Sequence, residues 1–299
     1  MVKEILVGDN PFIGVSHLSQ EKAREEAREA TLERRVAVLQ AAVEAGGTGF
    51  TFSTHPANLE LLTYMHDNHM SILKKLNYYI LTPYAQHYVR LANVQGTPVM
   101  VRSLLASMVY RKTAVIDLAI TLLTLDLNTL AYLLIEAQIA PYLKVLPKQN
   151  IKAILLHETV TDLATAYNLV YLFKDLDHQL RQKIGVPLGL ETRNLPFLYH
   201  TLRHANYIPQ YIMTPLNPLG YQMAPDRYTV ERTVRKTGNE TRYVAISILA
   251  AGAIKPLRAV KYLASYKHSI YAVVTASSKA YRIKSNIHCL LSLIDKNNR

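Results

Sequence analysis

The chain has 299 residues, 49% of them hydrophobic and 19% charged, where an average domain is about a quarter charged. That composition excludes disorder as its main character, and a single cysteine, Cys289, excludes a disulfide framework or a cysteine-based zinc ribbon. The net charge of +12 is local: residues 227–299 carry 14 Lys and Arg against 3 Asp and Glu, and residues 1–226 carry 20 against 19.

Met1 leads straight into a strand-like run at 4–7, so no targeting segment is expected. Next comes Gly8-Asp9-Asn10-Pro11-Phe12-Ile13-Gly14, whose Gly and Pro fix a tight turn with the Asp9 carboxylate beside it. Residues 20–45 carry apolar side chains at helical spacing and stop at Gly46-Gly47, a helix C-terminal signal. Further short apolar runs lie at 49–52, 79–81, 153–156, 186–190, 211–213, 244–248 and 270–274. Helical patterns fall at 161–173, 195–204 and 256–266, and an apolar last helix at 287–294 holds Cys289 as a buried thiol. Runs that are apolar without alternation suit strands buried on both faces. Eight of them, alternating with helices, predict an α/β fold: a single-domain TIM (β/α)8 barrel rather than an open doubly wound sheet.

One connection is too long. Residues 82–152 have room for the usual helix and more, so a helical insertion is expected at about 95–150. Its most apolar stretch, 115–140, is long enough to span a bilayer, but Asp117, Asp126 and Glu136 make insertion costly. It is expected to pack under the barrel wall or to form a homo-oligomer contact. The protein is expected to be cytoplasmic.

Barrel enzymes build their sites at the C-terminal strand ends. Those ends offer Asp9, Ser53, Thr54, His55, Thr82, Tyr84, Gln86, His87, His157, Glu158, Glu191, Thr192, Thr214, Asn217, Ser247, Ser277, Ser278 and Lys279. Asp9, His55, His157, Glu158 and Glu191 are also a metal-type donor set, which makes a divalent metal an alternative cofactor. No HxH or HExxH spacing supports it. His200 and His204, four apart, and His66 with His69 read as half-exposed helical histidines.

Several of these ends carry motifs in a shared order. Residues 42–54 read Ala-Val-Glu-Ala-Gly-Gly-Thr-Gly-Phe-Thr-Phe-Ser-Thr, and 154–157 read Ile-Leu-Leu-His. Gln210 stands five residues before Pro215, residues 245–252 read Ala-Ile-Ser-Ile-Leu-Ala-Ala-Gly, and 277–286 read Ser-Ser-Lys-Ala-Tyr-Arg-Ile-Lys-Ser-Asn. In these motifs the sequence resembles the aldo-keto reductases, over most of the chain outside the insertion. The resemblance implies an NADP-linked oxidoreductase in which a Tyr gives a proton to a carbonyl as hydride arrives, tuned by a Lys and an Asp and assisted by a His. Here the Asp position is Ser53, the Tyr position Asn58 and the Lys position Pro83, and only His157 remains. Tyr84 is a candidate substitute. For the cofactor, the resemblance implies Gln210 at the nicotinamide amide, Ser247 and Leu249 at the pyrophosphate, and Ser277, Arg282 and Asn286 at the adenosine end. It also puts Glu191-Thr192 in place of a Ser-Asn pair, Ile246 in place of a stacking Tyr and Ala276 in place of a phosphate-binding Lys.

Arg258, Lys261, Lys279, Arg282 and Lys284 surround the seventh and eighth strands, where barrels hold phosphate, so a small phosphate-bearing ligand is the expected partner. Nucleic acid is disfavoured: Arg232, Arg235, Lys236 and Arg242 extend the basic surface, but no nucleic-acid motif accompanies them. Three functional readings follow. The first is a nucleotide-binding, oxidoreductase-like enzyme with a remodelled site, using His157, Asp9, Glu191 and His55. The second is a hydrolase or lyase using the same acids and histidines, and the third is a non-catalytic assembly subunit.

Overall fold

A computed structural model describes residues 1–14, 31–83 and 127–294. Eight parallel strands close in sequence order into a barrel. They are β1 (Glu4–Gly8), β2 (Gly49–Ser53), β3 (Asn77–Thr82), β4 (Ile151–Leu156), β5 (Leu188–Glu191), β6 (Tyr211–Pro215), β7 (Arg242–Ile246) and β8 (Ile270–Thr275). Each overlaps its predicted run.

Around them stand α1 (Leu32–Glu44), α2 (Pro56–Asn68), the short α3 (Met70–Leu73), α4 (Leu127–Val145), α5 (Glu158–Ala166), α6 (Tyr171–Lys183), α7 (Leu195–His204), α8 (Arg227–Thr237), α9 (Pro256–Leu263) and α10 (Ala280–Leu290). The single helix expected over 161–173 is two. Asn168 takes the left-handed conformation at φ 57°, and Leu169 N–H returns to Ala164 O at 2.8 Å. That is a helix-ending motif which Asn tolerates. The last helix starts at Ala280, well before the expected 287, and ends in a 3-10 turn.

Alternate strand residues face two cores. Leu6, Tyr79, Leu155, Tyr211, Met213, Val244 and Ala272 fill the barrel interior, while Ile5, Phe50, Ile80, Ile154, Leu188 and Ile212 join the layer beneath the helices. The interior has no slack: a Cβ on Gly189 would lie 2.5 Å from a Leu155 methyl carbon. At the N-terminal mouth a polar plug closes it. Glu4, 5% exposed, accepts bonds from the hydroxyls of Tyr79 at 3.1 Å and Tyr271 at 2.8 Å and from the Asn77 amide at 3.1 Å. Arg242 donates to the Tyr211 hydroxyl at 2.8 Å and lies over the Tyr271 ring.

The described part of the expected insertion is a wall helix. α4 packs between α2 and α6, with Tyr132, Leu133, Ile135 and Ile139 buried against this chain's own barrel. A half-exposed pocket of about 330 Å³ lies along it. Tyr84, Gln86, His87 and all of 95–126 lie outside the described residues. No described helix is long and apolar enough to cross a membrane.

Candidate functional site

Asp9 follows β1 and is buried, 7% exposed. Its Oδ2 accepts three bonds, from Ser53 N–H at 2.8 Å, Ser53 Oγ at 2.7 Å and Asn58 Nδ2 at 2.7 Å. Ser53 ends β2, and Asn58 lies in the first turns of α2. The positions that the resemblance assigns to an Asp and a Tyr therefore both serve a carboxylate delivered from β1. Burial pushes the Asp9 carboxyl above its ordinary value, and the three donors offset only part of that rise.

His55 and His157 play matching parts. Each precedes a helix and uses Nδ1 to accept the N–H two residues on: Ala57 for His55 at 3.0 Å, Thr159 for His157 at 3.2 Å. An accepting Nδ1 fixes the neutral ring as the Nε2–H tautomer. Burial holds the His157 imidazolium below its usual range, while Glu158 and Asp9 raise it and Arg193 lowers it. His157 is thus a neutral donor at pH 7.

Glu191 ends β5 and faces the barrel interior, level with Met213 of β6. It is 7% exposed, and its Oε2 accepts the Glu158 N–H at 3.2 Å. Burial first, then the Glu158 and Asp162 charges, push its carboxyl up to about 8, against the pull of the Glu158 N–H and Arg193. The neighbours are already paired. Arg193 forms an ion pair with Glu158 and donates its Nε to Glu158 Oε2 at 2.7 Å. Asp162 accepts from Thr192 Oγ1 at 2.5 Å and Arg193 N–H at 3.2 Å.

α4 adds two groups. Gln138 Oε1 accepts from Thr54 and Thr82, both at 3.1 Å, and the Tyr142 hydroxyl donates to His55 O at 2.9 Å. Burial and the Asp9 charge raise the Tyr142 phenol. Sequence reading missed Gln138, Tyr142 and Asp162 because they lie within helices rather than at strand ends, and Arg193, two residues past β5, because no motif marks it.

The six residues assigned to a cofactor by resemblance divide. Ser247 and Leu249 follow β7, and Ser247 Oγ donates to Gln222 at 2.9 Å. Ser277, buried at the end of β8, accepts the Lys279 N–H at 3.1 Å. Arg282 is exposed on α10, over the Tyr281 ring. Asn286 turns inward and donates to Thr275 Oγ1 at 3.2 Å, so it stands apart as a support for β8. Gln210 is a correction: it precedes β6 at the N-terminal mouth, where it accepts a bond from Arg181 at 3.4 Å. Pro215 ends that strand roughly 16 Å away at about 3.3 Å per residue, so Gln210 cannot share a ligand with the opposite mouth.

Among the described residues no group of three or more His, Cys, Asp or Glu side chains is placed to hold a metal ion. The divalent-metal alternative has no support. His204 Nδ1 is bonded to His200 O at 2.8 Å, and His66 Nδ1 to Val145 O at 2.8 Å. Cys289 is a half-buried free thiol.

No protein-family model matches the chain, and no curated protein does. Solved structures do match. One is described as an aldo-keto reductase from Pseudomonas aeruginosa: 11% identity, 98% of this chain and 91% of that chain, TM-score 0.58. Another is aldose reductase from Giardia lamblia, at 12% identity over 99% of this chain and 89% of that one, TM-score 0.52. A third, a Gox0644 mutant in complex with NADPH, aligns at 11% identity over 99% of this chain and 91% of that one, TM-score 0.53. The likeness is one of fold: this chain has the barrel of the aldo-keto reductases.

Proposed function

We propose that this barrel binds a phosphate-bearing dinucleotide of the NADP type across the ends of β7 and β8 and serves oxidoreductase chemistry at the adjoining strand ends. The observation that carries this reading is the backbone after β7. Ser247, Ala250, Ala251 and Gly252 hold φ values of 52°, 44°, 55° and 92°. Each left-handed non-glycine residue costs about 1–2 kcal/mol, and strain of this kind gathers at ligand sites. Leu249, at φ −97° and ψ 6°, followed by left-handed Ala250, is a right-then-left pair of the kind found in anion-binding turns, here closed by Ala250 N–H on Ser247 O at 2.8 Å and Gly252 N–H on Leu249 O at 2.9 Å.

The residues present fit the phosphate half of such a ligand. Backbone 247–252 would hold the pyrophosphate, with Ser277, Lys279 and Arg282 beside it on the strand-8 side. Lys279 and Arg282 are both exposed, and cations so placed attract phosphate by charge-assisted bonds. The nicotinamide, when bound, supplies or takes a hydride. His157, neutral with its proton on Nε2, would orient the oxygen of a substrate carbonyl. Asp9, fixed by Ser53 and Asn58, supplies the negative potential felt at His157. Gln210 and Asn286 take no part.

Melting the protein with NADP+, NADPH and 2′,5′-ADP tests this reading. Ligand at about 100 times its Kd adds about 2.7 kcal/mol, so Tm rises, and it rises less in Lys279→Ala and Arg282→Ala but normally in Gln210→Ala. No rise at millimolar nucleotide sinks it. One observation favours a second reading, acid–base hydrolase or lyase chemistry without nucleotide: Glu158, Asp162 and Glu191 gather at the ends of β4 and β5. Turnover that persists in nucleotide-free protein would select it.

A further inference from the structure

Reduction of a carbonyl consumes a proton, and in this chain the expected tyrosine and lysine positions are Asn58 and Pro83. We propose that Glu191 is the proton donor at these strand ends, an inference that rests on the oxidoreductase reading above and supplies its missing acid.

The geometry makes the case. Glu191 closes the interior-facing row of β5 at the C-terminal mouth. Its Oε2 accepts the Glu158 N–H, so Oε2 is the carbonyl-type oxygen of a protonated carboxyl and Oε1 carries the hydroxyl. Among the described residues nothing bonds Oε1. The charged groups around it are Glu158 and Asp162 from α5 and Arg193 from the loop after β5. Arg193 is turned to Glu158, and Asp162 is held by Thr192 and the Arg193 N–H. A carboxyl buried beside two others, with the nearby cation engaged elsewhere, keeps its proton at neutral pH. Its value of about 8 lies where a general acid is both protonated and willing to give the proton up.

The step balances. With a reduced nicotinamide bound, the carbonyl carbon would gain its hydride as the C=O π pair moves onto oxygen. That oxygen takes the proton from Glu191 Oε1. The products are an alcohol, the oxidised nicotinamide and a Glu191 carboxylate, which regains its proton from water.

The test uses the full chain, NADPH and a set of nitro-substituted benzaldehydes, with Glu191→Gln and Glu191→Asp variants. In Glu191→Gln the NADPH Kd is expected to hold while the reduction rate at pH 7 falls about 100-fold or more, and Glu191→Asp recovers part of the loss. The wild-type rate falls as pH rises through about 8. The infrared band of a protonated carboxyl is present in the wild type at neutral pH, fades through the same range and is missing from Glu191→Gln. Undiminished reduction by Glu191→Gln, or a wild type without that band, overturns the assignment while leaving nucleotide binding intact. A wild type that binds NADPH but reduces none of the aldehydes overturns it too. A wild type that fails to bind NADPH at all brings down the functional reading along with it.

Discussion

Ala250 holds a φ of 44° while 4% exposed. A Cβ in the left-handed region is strained, and glycine relieves it at some cost in unfolded-chain entropy. Ala250→Gly is therefore expected to stabilise the protein by about 1 kcal/mol, read from the shift of the urea midpoint. Glu191 gives a pH signature. Its carboxyl rises from an ordinary 4.5 to about 8 on folding, so between those values the folded chain keeps a proton that the unfolded chain releases. Stability is unaffected below 4.5, falls as pH rises and levels off above 8. The loss is on the order of 5 kcal/mol. Denaturation at pH 5 and pH 8 checks it: the wild type weakens over that window relative to Glu191→Gln, which has nothing to titrate there. The identities of Asp9, His157 and Glu191 as strand-end groups were legible in the sequence. Their ionisation was not, because it depends on burial and on carboxylates brought from other elements.

The Gln138 amide ties α4 to the ends of two strands. Gln138 Oε1 accepts from Thr54 and Thr82, and Thr82 is fully buried. Removing the amide strands a buried hydroxyl, so Gln138→Ala is expected to cost about 2 kcal/mol. Tyr142→Phe, which loses the bond to His55 O, costs about 1 kcal/mol; both are read by urea denaturation. The helix itself was legible as an apolar stretch, but not its place. Apolar residues on every side announce burial without naming the surface that covers them. Here the cover from Tyr132 to Ile139 is this chain's own wall. The break at Asn168 was overlooked for a related reason: one left-handed residue ends a helix without changing the apolar pattern around it.

The barrel has a plugged end and a working end. Glu4, Tyr79 and Tyr271 bind β1, β3 and β8 together, and Arg242 with Tyr211 continues the seam across β7 and β6. Glu4→Ala leaves two tyrosine hydroxyls without their acceptor and is expected to cost about 3 kcal/mol. Nucleotide-induced melting shifts should stay unchanged, because the ligand's end lies at the other mouth. Gln210 shows why the two ends matter. Its spacing from Pro215 matched the resembled motif, yet five residues along a strand are enough to carry a side chain from one mouth toward the other.

The order of eight strands, their double burial and the basic last quarter could be read from one dimension, since a strand's apolar run and a segment's charge are local properties of the chain. The polar corner could not. Asp9 meets Ser53 and Asn58, and Glu191 meets Glu158 and Asp162, only once neighbouring strands pair and set distant strand ends side by side. Hydrogen bonding, desolvation and charge act through space within a few ångströms, so the protonation of Glu191 belongs to the closed barrel, whereas the tautomer of His157 is set locally by the Thr159 N–H.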